Sequence, residues 1–309
     1  MGYFLGIVIV CCIYIILSLG YSFQLGQAGV FSIAHGAFYG VGAYCVGIAV
    51  VEYQVNFWVA LVLGMAGAGA VSAILAVMSL RVAGDYLVVA SFAFQLIILA
   101  VIVNWPRYTH GSIGIIGVER PAFIASQNSF TIFCLVVAII IATLCFGIAR
   151  SPFGRALRAS RDDRLAAASL GKRVAQSRVA IFIFTSALAG LAGGLYAYYQ
   201  GFISPNSFAV NVSIVVLSMV VLGGLRSIAG AILGAIILVA LPQVIALIPM
   251  PATVLGPVQQ MIYGGILVAV MMLRPEGIVG GRRSKYLERD VLPIAHKTED
   301  IHDELRVPT

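Results

Sequence analysis

Residues 150–178 read RSPFGRALRASRDDRLAAASLGKRVAQSR, and this stretch sets the arrangement of the rest of the chain. It holds eight of the nineteen Lys and Arg residues and two Asp, whereas the 149 residues before it hold three basic residues. Seven more lie in the tail 274–309, so two segments carry fifteen of the nineteen. Since basic loops of membrane proteins stay on the cytoplasmic side, both segments are predicted to lie inside the cell.

The composition is typical of a membrane protein. Charged residues make up 10% of the chain and hydrophobic residues 61%, whereas soluble domains contain about 25% charged residues. Apolar runs near the ~20 residues that a helix needs to cross a bilayer recur along the chain. The alternating pattern of an outer-membrane barrel is absent. The sequence therefore predicts an all-α polytopic membrane protein, and its net charge of +7 follows from the two basic segments, so no nucleic-acid partner is expected.

The apolar pattern predicts about nine transmembrane helices. Five precede the basic segment and four separate it from the tail, so Met1 is expected outside. The first span is expected to be retained, because it lacks the basic start and the cleavage site of a signal peptide. The segment 28–51, which contains His35 and five glycines, is alternatively re-entrant or broken, and losing it as a span moves Met1 inside. The nine segments are 3–25, 28–51, 57–80, 86–103, 129–149, 179–203, 208–224, 228–248 and 255–273.

Two domains are expected: a transmembrane domain, 1–273, and a cytoplasmic tail, 274–309. The cysteines all fall in apolar segments without the spacing of a redox or zinc motif, so neither a disulfide framework nor a metal site is predicted. They are Cys11, Cys12, Cys45, Cys134 and Cys145.

The basic segment carries the signals of a short surface helix. The pair SP at 151–152 is typical of a helix start. The run SRDD at 160–163 predicts a capping box with Ser160 as the N-cap, and Gly171 predicts a left-handed C-cap. The resulting helix has about ten residues and a length of roughly 15 Å, too short to cross a bilayer. The alternative is a solvated loop that rests on anionic lipid headgroups.

Short motifs rich in Gly and Ala recur along most of the chain, among them AAASLG at 166–171 and SALAGLAGGLYA at 186–197. These two runs resemble the coupling loop and the span that follows it in the permeases of branched-chain amino-acid ABC importers. Each motif is weak alone, being mostly Gly and Ala, but they keep their order from residue 26 to residue 277. Of the two permeases that such importers pair, the chain resembles the LivM-type partner. The other motifs are GQAG at 26–29, AHGAF at 34–38, GAY at 42–44, GDY at 84–86, RP at 120–121, IF at 181–182, ISP at 203–205, MVVLGG at 219–224 and RPEG at 274–277.

The resemblance implies a transport subunit of the bacterial inner membrane, with no catalytic site and no bound cofactor. It implies a second, homologous permease, two cytoplasmic ATPases that bind ATP and Mg, and a periplasmic solute-binding protein. Branched-chain amino acids are the expected substrates, with urea, amides or aromatic acids as alternatives. The ATPases are then expected to grip the segment 150–178. The contact residues expected there are Ser160, Arg161, Asp162, Asp163, Arg164, Leu165, Leu170 and Gly171.

Two segments, SIAHGAFYG at 32–40 and SIAGAILG at 227–234, share the pattern Ser-Ile-Ala…Gly-Ala-x-x-Gly, with His35 as the single insertion. Repeated spans interrupted by glycine are typical of a transport pathway, although small residues also allow helices simply to pack closely. His35 is predicted either to line the path or to hold a broken helix by a hydrogen bond. No other polar cluster is expected at membrane depth. The candidate pathway residues are Ser32, His35, Gly36, Gly40, Ser227, Gly230 and Gly234.

An ion-coupled secondary transporter or channel is the alternative class of function. Such a carrier needs an ionisable relay inside the membrane, whereas the nine segments have charged side chains only near their ends, as at Asp85, and a single His. A P-loop motif is absent, so ATP is expected to be hydrolysed by another polypeptide. No constellation of enzyme residues is found either. The importer is therefore the favoured interpretation.

Single cysteines test the predicted topology. We expect that Asn206→Cys, in a chain whose native cysteines have been replaced, reacts with a membrane-impermeant maleimide added to intact cells. Ser160→Cys and Asp290→Cys are expected to react only after the cells are opened, because basic segments stay inside. Reaction at position 160 in intact cells contradicts the topology.

Overall fold

The computed structural model describes residues 2–82, 84–245, 252–273 and 277–279, which are mostly helical. The tail predicted at 274–309 lies outside these residues apart from 277–279. A π-helical turn covers Phe23–Gln27, and the two short strands β1 (Ile115–Ile116) and β2 (Phe202–Ile203) pair antiparallel. The helices are α1 (Gly2–Ser22), α2 (His35–Val51), α3 (Phe57–Arg81), α4 (Asp85–Asn104), α5 (Pro106–Thr109), α6 (Gln127–Arg150), α7 (Pro152–Asp162), α8 (Arg164–Ser169), α9 (Val174–Gln200), α10 (Val210–Gly223), α11 (Ile228–Ile245) and α12 (Ala252–Leu273).

The helical architecture agrees with the sequence prediction. Within the described part of the chain, each of the nine predicted apolar segments contains a helix. Six helical stretches are long and apolar enough to cross a membrane, namely α1 with its π-helical turn, α3, α4, α6, α9 and α10 with the turn before it. The apolar parts of α2, α11 and α12 are shorter. The prediction of an all-α polytopic membrane protein is thus confirmed.

The predicted span 28–51 is not one continuous helix. After the π-helical turn, the amides of Ala28 and Val30 donate to carbonyls of that turn at 3.1 and 3.0 Å. Gly29 has a φ of +64°, in the left-handed region that glycine adopts without steric strain. The chain then runs without regular structure until α2 begins at His35. The broken form of this span, which the sequence left as an alternative, is therefore the observed one.

Contacts show which helix ends share an end of the bundle. The Gln127 side chain, at the start of α6, donates to the Gly2 carbonyl at 2.8 Å. At the other end of the bundle, the Arg161 side chain of α7 donates to the Gly26 carbonyl, just after α1. Gly2 and the basic segment therefore lie at opposite ends, in agreement with an odd number of spans between them.

Glycines allow α2, α3 and α9 to pack with their backbones close together. A Cβ atom added to Gly190 of α9 would lie 2.6 Å from the Cβ of Ala68 on α3. A Cβ added to Gly64 of α3 would lie 2.8 Å from a methyl group of Val46 on α2. Carbon atoms do not approach so closely without displacement, and helices in lipid associate largely through such close contact. The small residues of these helices therefore fix the spacing of the central bundle.

Replacing Gly190 by Ala is expected to destabilise this bundle by about 1–3 kcal/mol, because the new methyl group overpacks the α3–α9 contact. Gly147→Ala is the matched control, since Gly147 lies in α6 with open space at its Cβ position. That change should be neutral or stabilise slightly, as Ala favours helix more than Gly does. Thermal unfolding of the two purified variants in detergent compares them, and equal melting temperatures contradict the proposed packing.

Candidate functional site

The first turn of α2 begins inside the bundle and is held by side chains from other helices. The amide of Gly36 donates to Ser213 Oγ of α10 at 2.8 Å, and that of Ala37 to Gln95 Oε1 of α4 at 2.7 Å. Ser91, one turn before Gln95, accepts the amide of Ile33 at 2.9 Å. The side chains of Ser91, Gln95 and Ser213, which we call the polar cluster, are buried.

The polar cluster caps the N-terminus of α2. Ala34 occupies the N-cap position and has no side-chain acceptor to offer. The first amides of a helix lack partners within the helix, and an unpaired amide in the hydrocarbon region costs several kcal/mol. Gln95 also pairs a backbone group of the turn before α10, since its Nε2 donates to the Phe208 carbonyl at 2.9 Å. One side chain therefore joins the start of α2 to the turn before α10.

The sequence prediction that no further polar cluster lies at membrane depth is wrong. Ser91 and Gln95 are four residues apart on α4 and so lie on one face of that helix. Burying a Gln side chain in an otherwise apolar span costs free energy unless the side chain is hydrogen-bonded. Gln95 in the sequence of α4 was therefore the one signal that could have predicted the cluster. Its partners, however, come from 33–37 and from α10, which only the tertiary structure brings together.

His35 is the first residue of α2, and its side chain is buried. Among the described residues neither ring nitrogen has a hydrogen-bond partner, and the ring lies 5.2 Å from the Tyr21 ring between centroids. The predicted hydrogen bond from His35 to the broken helix is therefore not formed. Gln95 and Ser213 hold that helix instead, and a role of His35 in the pathway stays a prediction.

The other candidate pathway residues lie at helix starts and helix contacts. Ser32 Oγ accepts the Ala34 amide at 3.3 Å, and Ser227 Oγ accepts the Gly230 amide at 3.0 Å. Ser227 thus directly precedes α11, whereas Ser32 lies in the irregular segment three residues before α2. Gly40 packs against the Phe208 ring, Gly36 against Ser213, and Gly230 and Gly234 against the backbone of α10 at Gly223 and Met219.

Both copies of the pattern therefore pack on α10, at positions 213 and 223, which are about 15 Å apart along a helix. In this conformation their glycines pack against neighbouring helices or side chains. Whether they also flank the pathway stays a prediction.

Two local features of the basic segment, the helix start at Ser151 and the left-handed turn at Gly171, are as predicted. Ser151 Oγ accepts the Gly154 amide at 3.3 Å, and Pro152 is the first residue of α7. Gly171 has a φ of +72°, so it is the left-handed residue expected there. Both ends follow from local chemistry, since a hydroxyl caps the first amides and glycine tolerates a positive φ.

The middle of the segment corrects the prediction of one helix from Ser160 to Gly171. Ser160 is not an N-cap but lies inside α7, where its hydroxyl donates to the Leu157 carbonyl at 2.9 Å. The N-cap is Asp163, whose carboxylate accepts the amides of Leu165 and Ala166 at 2.8 and 3.0 Å. The helix runs through Ser160 because Gly154, Leu157 and Ser160 form one buried face of α7.

The expected ATPase-contact residues face in two directions. Leu165 and Leu170 are 85% and 77% exposed, although they are large apolar side chains. Asp162, Asp163, Arg164 and Gly171 are exposed beside them. Ser160 and Arg161 instead face the bundle.

α7 is fastened to the end of α1 by two arginines. Arg161 donates to the Gly26 carbonyl, and its alkyl chain covers Gly29. Arg158 donates to Gln27 Oε1 at 2.9 Å. Burial, followed by the charge of Arg226, lowers the pKa of the Arg161 guanidinium. The basic segment is therefore tied directly to the residues that precede the broken span.

The chain matches known proteins along nearly its whole length. The family model described as branched-chain amino acid transport system, permease component, matches residues 3–271. This chain belongs to that family. It is consequently a transport subunit rather than an enzyme, and a multi-pass protein of the inner membrane.

Individual relatives of this chain are also permeases. It is 31% identical over 294 residues to the high-affinity branched-chain amino acid transport system permease protein LivM of Escherichia coli K12, covering 86% of this chain and 68% of LivM. It is 30% identical over 210 residues to the probable branched-chain amino acid transport permease protein LivH of Methanocaldococcus jannaschii, covering 63% and 64%. The autoinducer 2 import system permease protein LsrC of Salmonella typhimurium LT2 is 32% identical over 173 residues, or 54% and 49%. No solved structure matches this permease.

A pair of serines on α10 tests the role of the polar cluster. Ser213→Ala leaves the buried Gly36 amide without an acceptor and is expected to destabilise the permease by about 1–3 kcal/mol. Ser218→Ala is the matched control, because Ser218 is equally buried but bonds only to the carbonyl of Ile214 in its own helix. Thermal unfolding in detergent measures both variants. A loss of stability that is the same in both contradicts the capping role.

Proposed function

We propose that this permease is one of the two membrane subunits of an ATP-driven importer of branched-chain amino acids. The observation that carries the proposal is the similarity to LivM over 86% of the chain. A second, homologous permease completes the pathway, two cytoplasmic ATPases bind ATP and Mg, and a periplasmic binding protein delivers the amino acid. This chain itself then needs no cofactor.

The proposed topology has nine spans, with residue 2 outside and the basic segment in the cytoplasm. The charge distribution supports it, since fifteen of nineteen basic residues fall in the two segments assigned to the inside. The contacts of Gly2 and Arg161 at opposite ends of the bundle are consistent with it. In this proposal the segment 28–34 and α2 together make the second span.

The ATPases are proposed to contact α8 and its flanks. Leu165 and Leu170 are exposed apolar side chains on a charged surface, which is typical of a protein contact. Asp162, Asp163 and Arg164 add polar contacts around them. Gly171 ends the helix and sets the direction in which the chain returns to α9.

Movement of this surface has a direct route to the broken span. α7 is joined to α8 at Asp163, and Arg158 and Arg161 of α7 hold the backbone and side chains of residues 26–29. These residues lead into 28–34 and the start of α2. We therefore infer that closure of the ATPases displaces α7 and the broken span together, and so changes access to the pathway.

The pathway is proposed to pass the two repeated segments. Ser32, His35, Gly36 and Gly40 belong to the first, and Ser227, Gly230 and Gly234 to the second, with the polar cluster between α2 and α10. Their present contacts then separate in another state of the transport cycle. The described spans hold no carboxylate at the polar cluster, which suits weak binding of a zwitterion and selection by the binding protein.

A second candidate is the import of another small solute by the same mechanism. It is favoured by one observation, the match to LsrC, whose name refers to autoinducer 2 rather than to an amino acid. The two candidates share the fold, the coupling surface and the partners. They differ only in what the binding protein delivers.

Uptake by the reconstituted complex tests both the substrate and the coupling. Proteoliposomes with this permease, its co-expressed partner subunits and the binding protein should accumulate radiolabelled leucine when ATP is inside. Gly171→Val should lower uptake at least tenfold while the complex stays assembled, because valine at a φ of +72° strains the end of α8 by about 1 kcal/mol or more.

Gly147→Val is the control for this test, since Gly147 has open space at its Cβ position and lies in α6, outside α8 and its flanks. It should transport like the wild type. Full uptake in Gly171→Val and in the double variant Asp162→Lys, Asp163→Lys contradicts the coupling surface. Absence of ATP-dependent uptake of leucine, isoleucine and valine by the assembled wild type favours the second candidate.

A further inference from the structure

A cleft of about 550 Å³ lies where the broken span, α4, α8 and α9 meet, at the end of the bundle that carries the basic segment. It is separate from the polar cluster. One wall is apolar and the other carries charged side chains. The lining residues are Gly29, Phe31, Gly84, Asp85, Leu87, Val88, Val89, Arg164 and Arg178.

Arg178 is the unusual member of this lining. It is only 3% exposed, and its Nε has no hydrogen-bond partner among the described residues. The ion pair found within those residues, between His110 and Glu52, does not involve it. A buried guanidinium is costly unless an anion compensates its charge. The cleft therefore has a buried cation that forms no ion pair with any carboxylate of the described part of the chain.

The charges of the cleft favour an anion. Arg164 adds a second guanidinium, while Asp85 is an exposed carboxylate at the first position of α4. The sum is one net positive charge, and the buried charge is positive. Guanidinium groups bind phosphate oxygens through paired N–H donors, and basic pockets between membrane helices accept lipid headgroups.

The apolar wall selects among anions. Phe31, Leu87 and Val88 line the cleft beside the two arginines, and Val89 is 67% exposed on the outer surface of α4. A small inorganic anion leaves this wall bare. A phospholipid uses both parts, since its phosphate meets the arginines and an acyl chain covers the apolar side chains.

We infer that this cleft is a binding site for an anionic phospholipid, with its phosphate on Arg178 and Arg164 and part of an acyl chain on Phe31, Leu87 and Val88. The transported solute is a poorer candidate, because an importer has to release it on this side and a buried arginine retains a carboxylate. The lipid also reaches the broken span, since Gly29 lines the cleft and lies under Arg161. Its occupancy thus stabilises the contact between α7 and that span.

Native mass spectrometry of the full chain in detergent tests the site, and it needs no transport activity. Phosphatidylglycerol and phosphatidylethanolamine are added in equal amounts, and we expect at least tenfold more retained phosphatidylglycerol. Arg178→Gln should reduce that retention at least tenfold, because it removes a charge-assisted contact. Arg155→Gln is the matched control, since Arg155 is exposed on α7 and donates only to the Arg150 carbonyl. It should retain the lipid like the wild type.

Several results overturn the inference. Wild-type retention in Arg178→Gln removes the proposed phosphate contact, and equal retention of both lipids removes the charge selection. Displacement of the lipid by millimolar inorganic phosphate assigns the cleft to a small anion, and displacement by leucine assigns it to the transported solute. If Arg178→Gln does not fold, Arg164→Gln decides, because Arg164 is exposed and its loss should still reduce retention severalfold.

Discussion

The need to pair backbone groups in the absence of water is the constraint on which this structure depends. The second span is broken before His35, which exposes the first amides of α2 inside the bundle. Gln95 and Ser213 accept those amides, and Gln95 also donates to the carbonyl of Phe208. Because no water is available to pair these backbone groups, the hydrogen bonds fix α4 and α10 against the start of α2. The start of α2, which lacks a cap of its own, is thus the point at which α2, α4 and α10 meet.

Close packing of small residues allows these helices to approach one another. The contacts of Gly190 with α3 and of Gly230 with α10 bring helix backbones together where larger side chains would hold them apart. Lipid provides no hydrophobic driving force between helices, so such contacts supply much of the association energy. The same contacts have to open if the repeated segments flank a pathway. In this structure the glycines serve tight packing.

The basic segment is more than a solvated loop, because part of it is built into the bundle. Leu157 packs inward, and Arg158 and Arg161 hold the residues just before the broken span. The exposed leucines of α8 lie on the opposite, outward side. One short stretch thus joins a surface suited to a partner protein to the least regular part of the membrane domain. The cleft at Arg178 lies beside the same junction, since Gly29 and Arg164 both line it.

The sequence by itself determined the class of protein, the approximate positions of most apolar helices, the start of α7 and the left-handed turn at Gly171. Each of these depends on local properties: apolar length, charge, a capping hydroxyl and the freedom of glycine at positive φ. The prediction of Ser160 as an N-cap failed because burial of one face of α7 outweighed a local capping signal. The polar cluster was missed because Gln95 and Ser213 are 118 residues apart and become partners only through packing. In the sequence, Arg178 is one more basic residue. Only the tertiary structure shows that it is buried without an ion-pair partner among the described residues, because burial depends on neighbours that sequence order does not specify.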